Sequence, residues 1–382
     1  MNNKQTFNAK KSVANTDPCY GCGACVAACP KKCISLKESA EGFYVPDVDA
    51  AKCVNCGLCV KACPARMSNP KASVDLDKVN VFGAWAKDEN VLQKSSSGGL
   101  VMSVAKILSK KGYKFVGVKY APENVRAEHF IAETLEEFKP AMGSKYIQSF
   151  TETAFKDLER NGKYLIVGTP CQVFALRPLF PNAFFIDFWC HGVPSAILWR
   201  SFVRAVKKGH DEKKLAAVWR DKKRFGWHNG WCMILKDGDE TLYSSSVKER
   251  CFFFHHFLRC NAQNKTCYTC PFGAYNSAAD IRVGDFWGEE YAANNKGVSK
   301  VALLTDAARE MEAELREVCV MEKIEEDVMH STPYQFPYPP MREFFIRLLR
   351  FDFYVAHIIR RSYGVISQCR RLVDIIRKCG AR

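Results

Sequence analysis

The chain has 382 residues, 47% of them hydrophobic and 12% aromatic, which suits two or three folded domains and excludes an extended disordered protein. Its formal net charge is +15, and nineteen cysteines in a sequence without an export signal at its N-terminus indicate a reducing compartment and metal ligation. Thiols become anions when they bind metal, so the net charge of the metal-loaded protein is lower than the formal value. Without a helix-turn-helix, zinc-finger or RNP-type motif, the sequence does not indicate nucleic-acid binding.

Eight of the nine cysteines within the first 63 residues form two copies of one pattern, Cys-x2-Cys-x2-Cys-x3-Cys-Pro. The pattern resembles that of bacterial two-cluster ferredoxins, in which three thiolates of a run hold one [4Fe–4S] cluster and the fourth reaches the other cluster. It predicts a ferredoxin-like domain at 17–69, with a short β-hairpin between the runs, after a disordered polar arm at 1–16. A disulfide framework is the weaker alternative. The predicted ligands are Cys19, Cys22, Cys25 and Cys63 for one cluster and Cys53, Cys56, Cys59 and Cys29 for its partner.

A polar linker is predicted at 70–80, and from residue 81 to 340 alternating strand and helix patterns predict a mixed α/β domain. The fold class expected for the whole chain is therefore α+β. The clearest elements are a strand at 81–88, a Ser/Gly loop and amphipathic helix at 95–112, a strand at 113–122, a strand–turn–helix unit at 163–180 and a strand at 183–195. Loops that follow strands are where such sheets bind ligands.

A second group of cysteines follows in this domain. Cys267 and Cys270 have the spacing for two corners of a metal site, and Cys171 and Cys190 each stand in a Gly/Pro-rich loop after an apolar strand. Four thiolates from these segments would complete a third [4Fe–4S] site. A structural zinc held by the same four cysteines is the alternative.

Six motifs occur in order across residues 95–288: SSSGGLVMSVA, GSKYIQS, GTPCQVFALR, CHGVPS, WRDKKRFGW and CYTCPFGAYNSAADIRVGDFWG. Over 81–340 they resemble the family of coenzyme F420 hydrogenase/dehydrogenase β-subunits, many members of which carry an N-terminal two-cluster ferredoxin. The resemblance implies bound FAD beside a [4Fe–4S] cluster whose ligands here are Cys171, Cys190, Cys267 and Cys270. Cys260, in a longer approach to the last pair, is an alternative ligand in place of Cys190.

The motifs also supply candidate flavin contacts. The Ser/Gly loop ahead of a helix offers hydroxyls and amides to phosphate oxygens, although a plain helix N-cap is the alternative. Lys145 would bring a positive charge to the flavin or its pyrophosphate unless it is a surface lysine, and Asp285 and Trp287 would orient or cover the ring unless they form a core turn. The candidate set is Ser95, Ser96, Ser97, Gly98, Gly99, Ser144, Lys145, Tyr146, Thr169, Pro170, Gln172, Asp285 and Trp287.

The resemblance and the motifs together predict an iron–sulfur flavoprotein oxidoreductase. FAD would exchange electrons with coenzyme F420 or another two-electron organic substrate, and the clusters with ferredoxin or a partner redox subunit. One alternative is a ferredoxin-dependent reductase of a metabolite such as a sugar or cell-surface precursor. Another is a non-catalytic electron-transfer subunit of a larger complex, against which the complete flavin motifs argue.

Residues 341–382 are helical in pattern and carry ten Lys or Arg against three Asp or Glu, interleaved with apolar side chains. A docked helix with a solvated basic face is one interpretation, and contact with a membrane surface or an acidic partner is the other. No apolar run reaches the roughly 18 residues of a transmembrane helix. We therefore expect a cytoplasmic protein, with this segment a candidate for peripheral contact with the inner face of the membrane.

Overall fold

The computed structural model of the protein describes residues 7–72, 74–75, 78–273, 276–324 and 336–362. The predicted disordered arm at 1–16 and the basic segment at 341–382 each lie partly outside these residues. In the part that is described, no helix has the length and apolar character needed to cross a bilayer.

Two short helices and a hairpin form the ferredoxin-like domain. The elements are α1 (Ala24–Ala27), β1 (Ile34–Glu38), β2 (Tyr44–Val48) and α2 (Leu58–Lys61). Strands β1 and β2 pair antiparallel, from Ile34 opposite Val48 to Glu38 opposite Tyr44, so the predicted hairpin is confirmed. Each helix begins after a glycine with positive φ, 77° at Gly23 and 75° at Gly57. Only glycine adopts this left-handed conformation without strain.

Residues 7–16 differ from the predicted disordered arm because they pack on this domain. Ser12 and Val13 are buried, and the Asn8 amide donates a hydrogen bond of 2.9 Å to Asn55 Oδ1 of the second cysteine run. Val13 is an apolar residue within a polar stretch, and this was the available signal for the contact. Burial of one valine side chain stabilises a fold by about 1.5 kcal/mol or more, which favours packing of the segment over disorder.

Among the residues described after the ferredoxin-like domain there are twelve strands. They are β3 (Asn80–Ala86), β4 (Lys114–Ala121), β5 (Arg126–Ala132), β6 (Ser149–Phe150), β7 (Tyr164–Val167), β8 (Phe184–Phe188), β9 (Ala216–Arg220), β10 (Trp231–Asp237), β11 (Glu240–Ser246), β12 (Ile281–Asp285), β13 (Ser299–Leu303) and β14 (Cys319–Lys323). Nine of them form one mixed sheet in the order β14-β3-β13-β12-β8-β7-β4-β5-β6, and the other three form an antiparallel sheet, β11-β10-β9. Strands β12, β8, β7 and β4 are mutually parallel, so their carboxyl ends share one edge.

The helices of this region cover the sheets. They are α3 (Glu89–Lys94), α4 (Leu100–Ser109), α5 (Leu135–Phe138), α6 (Glu152–Asp157), α7 (Pro170–Leu176), α8 (Ala196–Val206), α9 (Lys222–Phe225), α10 (Phe252–Leu258), α11 (Asp306–Glu310), α12 (Glu312–Val318) and α13 (Arg342–Leu349). The amphipathic helix predicted after the Ser/Gly loop is α4. It buries Leu100, Val104, Ile107 and Leu108 in one core cluster, at the helical spacing of a single face.

The first cysteine run packs directly on the α/β domain. Gln148 Oε1 accepts a hydrogen bond of 2.9 Å from the Tyr44 amide, and Glu152 Oε2 accepts one of 2.6 Å from the Leu36 amide. Ala24 and Val26 of α1 belong to the same buried cluster as Phe155 of α6. The ferredoxin-like domain and the sheet domain therefore share a core at this contact.

The connecting and terminal segments are also attached. Asn276 fixes the predicted linker, accepting a hydrogen bond of 2.6 Å from the Ala72 amide and donating one of 3.0 Å to the Pro70 carbonyl. The basic segment begins as α13, and residues 353–362 are helical as well. Phe345 and Leu349 of α13 are buried in the core cluster that contains α8 and β10. The described part of this segment thus has a docked face, and its contact with a membrane stays a prediction.

Candidate functional site

The two cysteine runs enclose two separate cavities. Each cavity is lined by four of the cysteines that the sequence groups together, three from one run and the last from the other run. The first cavity is lined by Cys19, Cys22, Cys25 and Cys63, and the second by Cys29, Cys53, Cys56 and Cys59. Crossed sharing of the fourth cysteine is the arrangement expected for two adjacent clusters.

A ninth cysteine also lines the second cavity. Cys33 is buried, and its Sγ lies 3.4 Å from Cys29 Sγ. The run pattern leaves this residue unassigned, because it falls outside the repeated spacing.

Burial strongly affects the thiols of the first cavity. It raises the pKa of Cys19 to about 11, and the pKa values of Cys22 and Cys25 well above their ordinary value, with neighbouring thiols adding to the shift at Cys22 and Cys25. A buried thiolate without a counter-charge is unfavourable, so these side chains would ionise in this place only on binding a cation.

The four cysteines of the α/β domain come together from three segments. Cys171 lies in the first turn of α7 after β7, Cys190 follows β8, and Cys267 and Cys270 flank a turn that faces both. The Gly192 amide lies 3.4 Å from Cys190 Sγ, and the Val193 amide 3.4 Å from Cys267 Sγ.

These thiols are electrostatic neighbours of one another. After burial, the thiols of Cys190, Cys171 and Cys270 contribute to the pKa of Cys267, which is raised well above its ordinary value. Cys260 lies beside this group, buried, with Sγ 3.5 Å from His191 Nε2, and burial, then the neighbouring Cys190 thiol, raises its pKa to about 12.

The second group of thiols adjoins the first cavity. Burial and then the neighbouring Cys22 thiol raise the pKa of Cys171. Tyr20 stands between the two groups, since Cys270, Cys171 and Cys22 all raise the pKa of its hydroxyl beyond the effect of burial. Its ring also packs on Phe272, with 5.7 Å between ring centroids. The three sets of thiols are therefore contiguous, with the first cavity in the middle.

The predicted flavin contacts converge on Arg220, a buried residue at the end of β9. Its guanidinium donates to Asp285 Oδ2 at 3.0 Å and to the Ser96 carbonyl at 3.0 Å. Ser96 Oγ in turn accepts a hydrogen bond of 2.7 Å from the Ser144 amide. Trp227 Nε1 completes the group with a hydrogen bond of 3.1 Å to Asp285 Oδ1. Four distant motifs are thus joined in one network.

Two lysines beside this network are held by main-chain carbonyls. Lys222 Nζ donates to Ser97 at 2.7 Å and to Lys296 at 2.6 Å, and it also contacts Leu92. Burial, then Arg220, lowers the pKa of Lys222 to about 8. Lys145 Nζ donates to the carbonyls of Pro140, Ala141 and Met142 at 2.8–3.2 Å, and burial lowers its pKa to about 7.

Several predicted contacts have partners within the protein. Ser97 Oγ donates to the Val298 carbonyl at 2.7 Å, and the Gly98 amide donates to Ser299 Oγ at 2.9 Å, so these two groups hold the loop against β13. The N-terminus of α4, after Gly99, has no capping side chain. Its first amides are therefore the better candidates for a phosphate.

The remaining predicted residues lie beside the same network or beside Cys171. Thr169 and Gln172 form the capping box of α7 around Pro170, which gives both polar side chains a structural role, and Thr169 Oγ1 lies 3.2 Å from Cys171 Sγ. Ser95 ends α3 as its C-cap residue. Trp287, 47% exposed, stacks on Trp227 with 4.7 Å between ring centroids.

Tyr146 and Trp231 pack against one another beside the Arg220 network. Their ring centroids are 5.2 Å apart, and Arg220 lies 5.5 Å from the Trp231 ring. Trp231 Nε1 is buried and has no hydrogen-bond partner within the described part of the chain. Trp231 Nε1 is therefore available to a bound polar group, as are the unpartnered ring nitrogens of Trp199 and Trp219 in the core.

Sheet register places the Asp285 end of this network beside the cysteines. Strands β12 and β8 are parallel, with Val283 opposite Phe188. Asp285 comes two residues after Val283, and Cys190 comes two residues after Phe188. Neighbouring strands are about 4.8 Å apart, so the two residues leave adjacent strands at the same edge.

Arg220, Lys222 and Trp227 were missed as site residues by the sequence analysis. All three belong to the WRDKKRFGW motif, which supported the family resemblance but received no role there. The available signal was an arginine and a lysine within a motif rich in aromatic residues, since basic side chains between aromatic rings are suited to anionic or planar ligands.

Two family profiles match the chain. Residues 18–67 match the 4Fe-4S dicluster domain, and residues 161–327 match the C terminus of the coenzyme F420 hydrogenase/dehydrogenase beta subunit. The resemblance inferred from the motifs is therefore confirmed.

Two curated relatives and one solved structure are similar to the chain. It is 28% identical over 181 residues to one of the subunits of the F(420)H(2) dehydrogenase of Methanosarcina mazei, a match that spans 44% of this chain and 51% of the relative. It is 38% identical over 109 residues to the coenzyme F420 hydrogenase subunit beta of Methanococcus voltae, spanning 26% of this chain and 39% of the relative. The chain thus spans about half or less of the length of these relatives. A chain of the xenon-derivatised F420-reducing [NiFe] hydrogenase complex from Methanosarcina barkeri aligns at a TM-score of 0.44 and 16% identity, covering 77% of this chain and 93% of that one.

Proposed function

We propose that this chain, which joins a 4Fe-4S dicluster domain to a domain of the family of coenzyme F420 hydrogenase/dehydrogenase beta subunits, is an iron–sulfur flavoprotein oxidoreductase. The observation that carries the proposal is the network centred on Arg220, which joins Ser96 and Asp285 at the sheet edge next to Cys190. A pure electron relay has no need for a polar pocket beside its cysteines. FAD is the cofactor proposed for this pocket.

The residues of the pocket suit a flavin nucleotide. Arg220 is paired with Asp285, but its buried Nε has no partner among the described residues, and together with the uncapped N-terminus of α4 it offers donors to phosphate or to the anionic edge of the ring. Lys145 and Lys222, which are tied to carbonyls, fix the loops rather than extend into solvent. The unpartnered Trp231 Nε1 offers a donor from the inner side. When bound, FAD would supply the exchange between two-electron and one-electron chemistry.

The thiol groups suit three [4Fe–4S] clusters. The proposed ligand sets are the four cysteines of each cavity and Cys171, Cys190, Cys267 and Cys270 in the α/β domain. No three thiol sulfurs of that last set, all of them in described residues, lie within 4.8 Å of one another. Sulfurs on one tetrahedral zinc stand about 3.8 Å apart, so the wider spacing supports the larger iron–sulfur core.

The first test is the cofactor content of protein purified without oxygen. We expect released FAD and about 12 iron per chain, the total for three four-iron clusters. In Arg220→Met the retained FAD should fall at least about tenfold, because the variant loses charge-assisted hydrogen bonds on both sides of the pocket. Arg224 lies four residues further along the chain and is exposed. Arg224→Met is therefore the matched control and should retain FAD. The proposal would be wrong if wild-type protein purified in this way contained no FAD.

The second test identifies the two-electron partner. Coenzyme F420 is the first candidate, because both curated relatives are named for it. Anaerobic addition of reduced F420, NADH or NADPH should bleach the flavin absorbance with one of them only. Bleaching by reduced ferredoxin alone would favour a ferredoxin-dependent reductase of another metabolite.

A further inference from the structure

The two cysteine runs have equivalent sequences but different surroundings. A Cβ on Gly23 of the first run would stand 2.0 Å from Thr151 Oγ1, whereas a Cβ on Gly57 of the second run would meet nothing within 4 Å. Ala24 has no exposed surface, and its counterpart Leu58 is 42% exposed. The α/β domain therefore covers the first run, and the second run faces outward.

The outward side of the second run has an apolar centre. Val54 is 43% exposed and Leu58 42% exposed, and Cys56 between them is exposed too. The counterpart of Val54 in the first run is Tyr20, which packs on Phe272 of the α/β domain. The positions that contact the α/β domain in the first run are therefore occupied by exposed apolar side chains in the second run. Such a patch is typical of a surface that binds another protein.

Lysines surround this centre. Lys11 and Lys31 line the second cavity, and none of the described residues that line it is an Asp or Glu. Lys61 lies one helical turn after Leu58 in α2 and is exposed, as are Lys11 and Lys31. The positive rim favours an acidic partner and would accelerate its approach.

We propose that Lys11, Lys31, Val54, Leu58 and Lys61, here called the second-run face, form the docking site for an acidic one-electron carrier protein. The proposal rests on the proposed function, since it takes the second cavity as the cluster site nearest to solvent. One electron would pass across the face, so the carrier loses or gains one electron as the domain gains or loses one, and no bond is formed. An apolar centre with a charged rim suits a short-lived contact, of the kind that buries less than about 1,200 Å².

The test is binding of an oxidised acidic flavodoxin to the intact, cluster-loaded chain, measured by calorimetry at low ionic strength. The variant carries Lys11→Glu, Lys31→Glu and Lys61→Glu, and its matched control carries Lys110→Glu, Lys213→Glu and Lys214→Glu, three exposed lysines of the α/β domain. We expect binding roughly tenfold or more weaker in the variant and unchanged in the control. Added salt should weaken wild-type binding and should have little effect on the variant.

Cross-linking gives a second readout that does not depend on activity. A carbodiimide joins lysines to carboxylates in contact, so cross-linked peptides should contain Lys11, Lys31 or Lys61. Cross-links confined to the α/β domain, equal affinity of variant and control, or a wild-type homodimer that covers Val54 and Leu58 would each overturn the docking proposal.

The two proposals fail separately. Methyl viologen radical is a small cation that needs no docking face, and it should reduce the clusters of both charge variants as fast as those of the wild type. If it reduces nothing in the wild type, the redox function itself is wrong. If it reduces all three proteins while flavodoxin binds them equally, only the second-run face is wrong.

Discussion

Equally buried cysteines in this chain differ in which groups lie next to their sulfur. Cys319 is as inaccessible as Cys22, but it packs among apolar side chains at the edge of the large sheet. Cys22 and Cys171 instead have other thiols as neighbours. Grouping of thiols, rather than burial, marks the candidate ligands.

A single substitution tests the third set of ligands. Cys171→Ala should remove about four of about 12 iron, because the proposed cluster loses one of its four thiolate ligands, and should leave the two ferredoxin-type signals in the electron paramagnetic resonance spectrum. Cys319→Ala, the buried control, should keep all of its iron. Full iron in Cys171→Ala would show that the assignment is wrong, and the same measurement on Cys260→Ser decides whether that residue is a ligand.

The proposed binding of FAD should depend on pH through Lys145. Burial lowers the pKa of its ammonium to about 7, so above that pH the side chain is mostly neutral in the free protein. A phosphate or flavin anion placed beside it favours the charged form and raises the pKa, so binding takes up a proton.

Calorimetric titration of FAD into flavin-depleted protein at about pH 8 measures this uptake. The observed heat should vary with the ionisation heat of the buffer, with a slope near one proton for the wild type. The slope should be clearly smaller in Lys145→Met, in which only Lys222 retains a lowered pKa of about 8. An unchanged slope in that variant would place Lys145 away from the anion.

At the scale of elements, α1 and α2 are a matched pair. Both begin after a left-handed glycine, so alanine at either position costs about 1 kcal/mol of conformational strain. At Gly23 the added Cβ also collides with Thr151, and at Gly57 it enters open space.

Gly23→Ala should therefore lower the thermal unfolding midpoint of the holoprotein clearly more than Gly57→Ala. Similar midpoints in the two variants would mean that the contact between α1 and α6 contributes little to stability.

Elements with a strong local pattern were predicted correctly. The hairpin β1–β2, strand β3, helix α4 and the unit of β7 and α7 all appear within a few residues of their expected bounds. Their apolar periods and bounding glycines are properties of short stretches of sequence.

Contacts across the fold were not predicted. Arg220 and Asp285 are 65 positions apart and belong to different sheets, so their ion pair depends on how those sheets pack. Nor did the repeated cysteine pattern indicate which run is covered, because the covering residues Thr151 and Phe155 lie far along the chain.

For the molecule as a whole, α13 ties the last part of the described chain to the ferredoxin-like domain. Arg342 is fully buried, and it donates to Glu41 Oε2 at 2.7 Å and to the Gln263 carbonyl at 2.7 Å. Glu41 lies in the turn between β1 and β2, and its other oxygen is 2.8 Å from Lys265 Nζ. One ionic group therefore joins three regions of the chain.

Arg342→Met should destabilise this junction by about 2–3 kcal/mol, less than the full cost of breaking a buried pair because Lys265 still balances Glu41. Hydrogen exchange should then speed up in α13 and in the β1–β2 turn. Arg347→Met, at an exposed position of the same helix, should leave exchange unchanged. Equal exchange in the two variants would assign the docking of α13 to its apolar face alone.

The unequal cover of the two cysteine runs has an energetic consequence. A reduced cluster carries one more negative charge than an oxidised one, and a low-dielectric surrounding disfavours the added charge more than water does. Two sites with the same ligand pattern should then differ in reduction potential, with the covered site the more negative. Redox titration followed by electron paramagnetic resonance should resolve two values, and coincident values would contradict this. Electron transfer from the covered site to the site at the second-run face would then be favourable. The difference in reduction potential would come from how the two sites are covered, since their ligands are the same.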